Sequence, residues 1–521
     1  MEFTEAYKQT GPCCFSPDAR FLAVACDYRL VVRDVVTLKI TLYYLLDSCK
    51  FHEFFTFLYL LCESGMLYYC VIISTLKNGY VVQLFSCVDK INFLEWAPDS
   101  EYILCGLYKR PMVQAWSLSQ PDWTCKIDEG SAGIAYARWS PDSRHILTTS
   151  EFQLRLTWPK HAARGVSFTK DGKFAAICTR RDCKDYINLL SCHSWEIMGV
   201  FAVDTLDLAG VEWSPDDSAI VAWDSLLEYK GTQQFTLVQP LVLEDIIAFG
   251  SCHVLIYSPD GRCLFKYSAY ESGLGVKTVG WSPCGQFLAV GSYDQSVRIL
   301  NHLTWKTFAE FTHAASIRSP YNAAVFKEVD DPFQLDMSEL CLSEGLSRNM
   351  RDNGTENGSE GGSRVKYAVM DVPITVPAQK PASDKPNPKQ GIGMLSWSSD
   401  SHYFFTRNDN MPTVLWIWDI CRLELAAVLV QKDPIRAAAW DPTCPRLVLC
   451  TESPHLYMWT PSGACCVNIP LPDFRIVDLK WNSAGSCLLL KDRDSFCCAA
   501  IVSALPEEEP DEQTDETSED E

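Results

Sequence analysis

Residues Trp281 to Asn301 read WSPCGQFLAVGSYDQSVRILN and contain the clearest structural pattern of the chain. Ser282-Pro283 after the tryptophan suits a tight turn, and the apolar run Phe287–Ser292 that follows suits a buried strand. Tyr293-Asp294 supplies a second turn before another strand-like run, Val297–Asn301. The stretch therefore predicts short antiparallel strands joined by tight turns.

The same pattern recurs along the chain. Each copy begins at an aromatic residue, called here an anchor, and the anchors are Phe15, Trp96, Trp139, Phe168, Trp213, Trp281, Trp397, Trp440 and Trp481. Four of the intervals between anchors, 43, 45, 43 and 41 residues, match one repeat of about 40 to 45 residues that often closes on Trp-Asp, as at Trp418-Asp419. This period predicts an all-β, WD-type β-propeller of about seven to nine blades.

The other four intervals, of 81, 29, 68 and 116 residues, predict the domain organisation. We expect propeller blades in residues 1–319 and 387–505, a flexible, disordered linker loop at 320–386, and a disordered acidic tail at 506–521. Residues 40–80 and 231–254 are predicted insertions, and the repeat is predicted to be truncated near 158–160. These departures from the regular repeat suggest the hypothesis of an altered splice form or a faulty gene model.

The two ends of the chain are predicted to meet. Phe3 to Lys8 has the length of an outer strand and Phe496 to Val502 that of a third strand, so both ends could share one sheet. Sharing would close the ring and remove exposed sheet edges. A single ring is favoured, and two partial rings divided at the linker loop remain the alternative.

Composition limits the classes of partner. The net charge is −21, and ten carboxylates lie between Glu507 and Glu521, so the remainder carries −11. An acidic body repels phosphates, and we expect no nucleic-acid partner. The 24 cysteines follow no signal peptide, and none form a Cys-x-x-Cys pair, which predicts reduced cytosolic thiols and no metal site. Charged residues divide 40–80 into pieces too short to span a membrane.

We found no catalytic motif. The sequence lacks Gly-x-Ser-x-Gly, His-Glu-x-x-His and a phosphate-binding loop, and Gly273-Leu274-Gly275 lacks the third glycine of a dinucleotide site. We therefore predict a non-enzymatic protein without a cofactor. Catalytic residues scattered around a central channel, as in a propeller hydrolase, remain a minor alternative.

Function is then expected in the turns, because a propeller presents equivalent turns of every blade on one face. The turns after the second strands combine basic and aromatic residues, which suit an acidic or helical protein segment. The candidate partner-binding rim comprises Tyr108, Lys109, Arg110, Arg180, Arg181, Lys184, Tyr186, Tyr293, Arg407 and Asn408. Ordinary solvated turns are the competing interpretation.

Several loop sequences carry a family resemblance. Lys126 to Gly133, Arg180 to Tyr186, Leu227 to Lys230, Asn387 to Leu395 and Arg407 to Asn410 together closely resemble the WD repeat-containing protein eight family. The resemblance covers residues 1–39 and 80–505, apart from the interruptions named above.

The resemblance implies a scaffold of the cytoplasm and cytoskeleton, at centrosomes and spindle poles. Such a scaffold would work with a coiled-coil adaptor in microtubule minus-end anchoring, spindle organisation and cilium assembly. It implies no ligand residues. A different WD-repeat adaptor, such as a ubiquitin-ligase substrate receptor or a translation-related propeller, is the alternative.

Overall fold

The computed structural model describes residues 1–35, 81–107, 112–128, 130, 134, 136–149, 164–182, 184–205, 208–224, 253–269, 275–318, 323–330, 365–380 and 390–501. Every regular element with bounds in these ranges is a β-strand. The all-β prediction is confirmed.

The strands are numbered in chain order. The amino-terminal strands are β1 (Glu2–Phe3) and β2 (Tyr7–Lys8). Blade 1 holds β3 (Cys13–Phe15), β4 (Phe21–Cys26), β5 (Arg29–Asp34) and β6 (Val81–Ser86). Blade 2 holds β7 (Phe93–Trp96), β8 (Tyr102–Leu107), β9 (Met112–Ser117) and β10 (Thr124–Asp128). Blade 3 holds β11 (Tyr136–Trp139) and β12 (Ile146–Thr149). Blade 4 holds β13 (Val166–Phe168), β14 (Phe174–Arg181), β15 (Lys184–Ser191) and β16 (Ile197–Val203).

Blade 5 holds β17 (Leu208–Trp213), β18 (Ile220–Asp224), β19 (His253–Tyr257) and β20 (Cys263–Ser268). Blade 6 holds β21 (Val276–Trp281), β22 (Phe287–Ser292), β23 (Ser296–Asn301) and β24 (Thr307–Thr312). Between blades lie β25 (Ser316–Ile317), β26 (Ala324–Asp330), β27 (Val365–Met370) and β28 (Ile374–Thr375). Blade 7 holds β29 (Ile392–Trp397), β30 (Tyr403–Asn408), β31 (Val414–Asp419) and β32 (Glu424–Val430). Blade 8 holds β33 (Ala437–Trp440), β34 (Leu447–Cys450), β35 (His455–Thr460) and β36 (Gly463–Asn468), and blade 9 holds β37 (Asp478–Trp481), β38 (Cys487–Lys491) and β39 (Ser495–Ala500).

Each anchor ends the first strand of its sheet, so the repeat in the sequence is the blade in the structure. The turn after the anchor is held by a serine side chain in several blades. The hydroxyls of Ser16, Ser282 and Ser398 accept hydrogen bonds of 2.9 to 3.0 Å from backbone N–H groups five residues later. These local bonds explain why a Ser-Pro or Ser-Ser pair recurs after the aromatic residue.

Within the described ranges, nine sheets follow one another around a ring. Apolar clusters join blade 1 to 2, 2 to 3, and each successive pair from 4 to 9. Blades 3 and 4 meet instead through Arg138, whose guanidinium lies 5.4 Å from the Phe168 ring and 3.5 Å from the Val166 carbonyl oxygen. Most of the core therefore lies between blades.

The chain ends close the ring as predicted. Glu2 and Phe3 pair with Ala500 and Ala499, and β2 also pairs with β39. Blade 9 then packs on blade 1 through a cluster that includes Phe15 and Phe496. The structure thus has the predicted single ring. Its nine blades are the upper limit of the predicted seven to nine.

The predicted linker at 320–386 differs from the structure at both ends. Strand β26 pairs in parallel with β32 and antiparallel with β27, which enlarges the blade 7 sheet to six strands. Strands β25 and β28 form a separate two-stranded ribbon. The larger apolar side chains of β26 are those of Val325, Phe326 and Val329. Because the wider segment is rich in proline and glycine, its average composition predicted a loop. Residues 331–364 lie outside the described ranges.

The predicted insertions fall between strands that pair directly. Strands β5 and β6 pair with each other although residues 35–80 separate them in the chain. Likewise, β18 pairs with β19 although residues 225–252 separate them. Val254 belongs to β19 opposite Trp223, so the second predicted insertion extends too far at its carboxyl end. Residues 40–80, most of 231–254, the predicted truncation at 158–160, and the tail at 506–521 lie outside the described ranges.

Candidate functional site

Blade 4 carries the most exposed part of the predicted rim. Arg181 and Lys184 are exposed at opposite sides of the turn between β14 and β15. The guanidinium of Arg180 lies 3.8 Å from a carboxylate oxygen of buried Asp185, and Tyr186 is half-buried. Arg181 and Lys184 therefore lie on the exposed surface of this turn, and Arg180 is near a carboxylate of its own blade.

The other described rim residues lie together at the junction of blades 6 and 7. The Lys277 ammonium is 5.0 Å from the Tyr293 ring centre and donates to an Asp409 carboxylate oxygen at 2.7 Å. Arg407 donates to the same carboxylate at 2.8 Å and to the Ile435 carbonyl at 2.6 Å. The single Asp409 carboxylate therefore balances one of the two positive charges of Lys277 and Arg407.

Two predicted rim residues are interior residues. Asn408 is 0% exposed, and its amide donates to the Gln295 side chain at 3.0 Å. Tyr293 is 5% exposed. The structure removes both side chains from the exposed surface, because turns at a blade junction are covered by the neighbouring sheet. Tyr108, Lys109 and Arg110 lie outside the described ranges.

The predicted set therefore does not form one described patch. Blade 5 separates the blade 4 residues from the group in blades 6 and 7. Sequence reasoning also missed Lys277, which lies in a first strand and not in a turn. Binding of a partner at the rim stays a prediction.

A buried hydrogen-bond chain stabilises the same junction. The Trp418 indole N–H donates to Thr406 Oγ1 at 2.8 Å, and Thr406 lies 2.7 Å from His313 Nε2. His313 Nδ1 is 2.8 Å from the Gln295 carbonyl oxygen, which can only accept. The histidine is therefore protonated at Nδ1, and burial lowers the pKa of His313 to about 4. The network serves the fold.

A cavity of about 400 Å³ lies where the first strands of blades 3 to 6 converge. Its polar lining includes Arg138, Arg164, Glu212 and Lys277. Arg138 and Glu212 each occupy the position directly before an anchor, a position that the sequence repeat could have identified. Burial raises the pKa of Glu212 to about 7. This cavity is the second candidate site.

Metal-ligand clusters and membrane-spanning helices were both sought in the part of the chain that the structure describes. Among the described residues, no group of three or more His, Cys, Asp or Glu side chains is arranged to hold a metal ion. Those residues also contain no helix that is long and apolar enough to cross a membrane.

Comparison with known proteins identifies the family. A family model described as "WD domain, G-beta repeat" matches residues 261–301, which include the stretch that predicted the fold. The mouse (Mus musculus) protein named WD repeat-containing protein WRAP73 is 40% identical over 514 residues, covering 95% of each chain. The chain belongs to the WD-repeat protein family. WD-repeat propellers generally act as non-enzymatic scaffolds that bind other proteins.

More distant proteins are also similar to this WD-repeat chain. An uncharacterized WD repeat-containing protein of Schizosaccharomyces pombe is 21% identical over 457 residues, covering 80% of this chain and 82% of that protein. The C-terminal WD40 domain of Sif2 aligns at a TM-score of 0.47 and 12% identity, covering 96% of this chain and 98% of that one. A chain of the mitotic checkpoint complex aligns at 0.38 and 11% identity, covering 79% and 87%.

Proposed function

We propose that this protein is a non-enzymatic scaffold of the centrosome and spindle pole. It would belong to the WD repeat-containing protein eight group and support microtubule minus-end anchoring, spindle organisation and cilium assembly. The observation that carries the proposal is the set of family-like loop sequences, together with 40% identity to a WD-repeat relative over 95% of both chains.

The closed ring suits such a role. A closed ring of sheets is pre-organised, so a partner that binds its face does not have to order the scaffold first. The partner we propose is a coiled-coil adaptor that also binds microtubule ends. A helix of that adaptor could place acidic side chains near Arg181 and Lys184, which are exposed in the blade 4 turn.

Imaging of the full chain with a fluorescent tag through mitosis tests the location. We expect two foci that coincide with a spindle-pole marker. A diffuse or nuclear signal throughout mitosis would contradict the proposal. Affinity capture followed by mass spectrometry should then recover a coiled-coil protein of the pole.

The contribution of blade 4 is tested separately by charge reversal. The double variant Arg181→Glu and Lys184→Glu should lose the adaptor while the thermal unfolding temperature is unchanged. Arg262→Glu with Lys306→Glu is the matched control, because both residues are exposed at the other end of the strands. Equal recovery of the adaptor by both double variants would remove the blade 4 turn from the binding surface.

A further inference from the structure

The fourth strand of a blade forms its outer edge, and the outer strand of blade 4 is open and apolar. Among the described residues, β16 pairs only with β15, so its other backbone edge has no strand beside it there. Ile197, Met198 and Val200 are 48%, 66% and 46% exposed. An apolar edge of this kind is a template on which another chain can add a strand.

Other outer strands carry charged side chains on their exposed face. In blade 4 this face consists of Met198, Val200 and Ala202, and no residue of β16 is charged. The outer strands of blades 2, 5 and 6 expose Lys126 and Asp128, Lys266, and Glu310 respectively. Charges on an outer strand oppose the addition of a further strand, and β16 lacks this protection.

The outer strand of blade 7 is the best match to β16 within the chain. Both β16 and β32 have seven residues, more than the other described outer strands. The β15–β16 and β31–β32 pairs each contain one register shift. Aligning the two shifts matches Gly199 with Ala427 and Val200 with Val428.

In blade 7 this matching edge is covered by β26. Strand β26 pairs in parallel with β32, which places Ala324 opposite Ala427 and Val325 opposite Val428. Val325, Val428 and Val430 are buried in one apolar cluster. The chain itself therefore shows what covers such an edge, namely an extended segment that adds in parallel.

Charges at the two ends of β16 indicate the chemistry of the segment. Glu196 is exposed just before β16 and has no ion-pair partner among the described residues. Asp204 is exposed just after β16, where it accepts from Lys266 at 2.8 Å. Blade 7 has Lys432 at the position of Asp204, and Lys432 pairs with Asp330 at the end of β26. An acidic residue there would instead meet Asp204, so the ends of the segment should be basic.

The β16 edge of a second copy does not fit this role. In a parallel strand pair, a residue that makes both of its backbone hydrogen bonds across the pair lies opposite one that makes neither. Two copies related by a two-fold axis must make identical contacts, so parallel β16 strands cannot pair symmetrically. Antiparallel pairing would bring Glu196 of one copy near Asp204 of the other. The segment therefore comes from a different protein.

We propose that the outer edge of blade 4 is a docking site for an extended, apolar segment of a partner protein, with basic residues at its ends. The segment adds to β16 in parallel, as β26 adds to β32, and covers Met198, Val200 and Ala202. Backbone hydrogen bonds supply affinity, and alternate side chains supply selectivity. This surface does not include the Arg181 and Lys184 turn, and the inference does not rest on the proposed location at the spindle pole.

The test uses the full chain and a synthetic peptide, acetyl-Lys-Ala-Val-Phe-Lys-Thr-Val-Lys-amide, as the probe. Its sequence follows β26, with Thr and Lys in place of the two acidic residues and one Lys added in front. We expect a dissociation constant below about 1 mM. A control peptide with Glu at both ends should bind roughly fivefold more weakly at low salt. Fluorescence anisotropy of labelled peptides measures both affinities.

Two substitutions and a cross-link locate the site. Val200→Lys should weaken probe binding roughly tenfold, because a lysine on an outer strand opposes pairing. Leu84→Lys is the matched control, because Leu84 is 52% exposed on the outer strand of blade 1, and it should leave binding unchanged. A photo-reactive group at the carboxyl end of the probe should cross-link beside Asp204, and one at the amino end beside Glu196.

Five results would overturn the proposal. The first is no probe binding at about 1 mM. The second is equal weakening by Val200→Lys and Leu84→Lys, which would indicate general surface attraction. The third is equal affinity of the lysine and glutamate peptides. The fourth is cross-linking with the two ends reversed. The fifth is a natural chain that sediments as a dimer and a Val200→Lys chain that sediments as a monomer, which would make a second copy the occupant.

Discussion

The side chain of Thr406 shows how one residue contributes to the packing of the ring. Thr406 lies at the centre of the buried chain in blade 7, where it accepts from Trp418 and faces His313 Nε2. A hydroxyl at this position satisfies two buried groups that have no access to water. The buried hydrogen bonds of a blade therefore help to specify how it packs, as its apolar side chains do.

Replacing Thr406 by valine should be strongly destabilising. The change keeps the shape of the side chain but leaves the Trp418 indole N–H and the His313 ring nitrogen without their partner. Each unsatisfied buried group costs about 1 to 3 kcal/mol, so we expect a loss of about 3 kcal/mol in the free energy of unfolding. Denaturant unfolding measures it. Thr304→Val, at an exposed turn, should change stability little; equal losses in the two variants would contradict the network.

His313 should make the fold sensitive to acid. Burial lowers the pKa of His313 to about 4, below the ordinary value of 6.5, so the unfolded chain binds its proton more readily. The stability contributed by neutral His313 is complete above pH 6.5 and is lost as the pH falls toward 4. The loss approaches about 3 kcal/mol for one histidine.

Thermal unfolding between pH 7 and pH 4.5 tests this effect. The natural chain should lose more stability over that range than His313→Gln, whose side chain does not titrate. His402→Gln is the control because His402 is exposed, and its pH profile should match that of the natural chain. Superimposable profiles for all three chains would show that His313 does not titrate on unfolding.

At the scale of the blade, the anchor tryptophans join neighbouring sheets as well as filling the core. The indole N–H groups of four anchors donate to the carbonyl of the residue before the preceding anchor. The pairs are Trp96 with Cys14, Trp397 with Gly280, Trp440 with Ser396, and Trp481 with Ala439, at 3.0 to 3.4 Å. Among the described residues, the indoles of Trp139, Trp213 and Trp281 have no such partner.

This difference predicts unequal effects of one substitution. Trp440→Phe removes an inter-blade hydrogen bond and part of a ring, whereas Trp213→Phe removes only the part of a ring. We expect Trp440→Phe to be more destabilising by about 1 kcal/mol. Chemical denaturation of the two variants gives the comparison. Equal losses in the free energy of unfolding would mean that the indole hydrogen bond does not stabilise the contact between neighbouring blades.

The blades were largely predictable because their determinants are local. An aromatic anchor, the turn that follows it and the next apolar run together predict the first two strands of a blade. The spacing between anchors predicts how the blades follow one another along the chain. The added strand β26 was not predictable in the same way, because its parallel pairing with β32 joins segments about 100 residues apart in the chain. Its apolar residues lie within a segment whose average composition is that of a loop.

The candidate site was less predictable than the fold. The turn position of Asn408 suggested exposure, but the neighbouring blade covers it completely. Conversely, Glu212 and Arg138 look like ordinary strand residues until the first strands are brought together around an axis. The burial of a side chain and the convergence of first strands at the axis depend on the whole ring. The charge and spacing of residues along the chain therefore could not predict either one.

At the scale of the molecule, the ring explains how the chain accommodates long irregular segments. Blade 1 and blade 5 each form complete sheets from strands that pair across residues 35–80 and 225–252. The strands on either side of each segment still pair antiparallel, with one register shift between Val32 and Arg33 in blade 1. The irregular intervals of the sequence are therefore compatible with one closed ring.

Closure itself depends on the first residues of the chain. The Thr4 N–H donates to the Cys498 carbonyl at 2.9 Å, and the Cys498 N–H donates to Thr4 Oγ1 at the same distance. Gln9 adds two side-chain bonds to the carbonyls of Asp492 and Ser495. These contacts join residues almost 500 positions apart and make the last sheet dependent on the first strand.

Cross-linking of the two chain ends tests the closed ring most directly. In Thr4→Cys, the new thiol lies beside the native Cys498, and mild oxidation followed by peptide mapping should recover a disulfide between positions 4 and 498 in the monomeric protein. The same oxidation should raise the unfolding temperature, because the link closes a very long loop. A folded monomer that never forms this disulfide, or forms it only between two chains, would contradict a ring closed by its own amino-terminal strand.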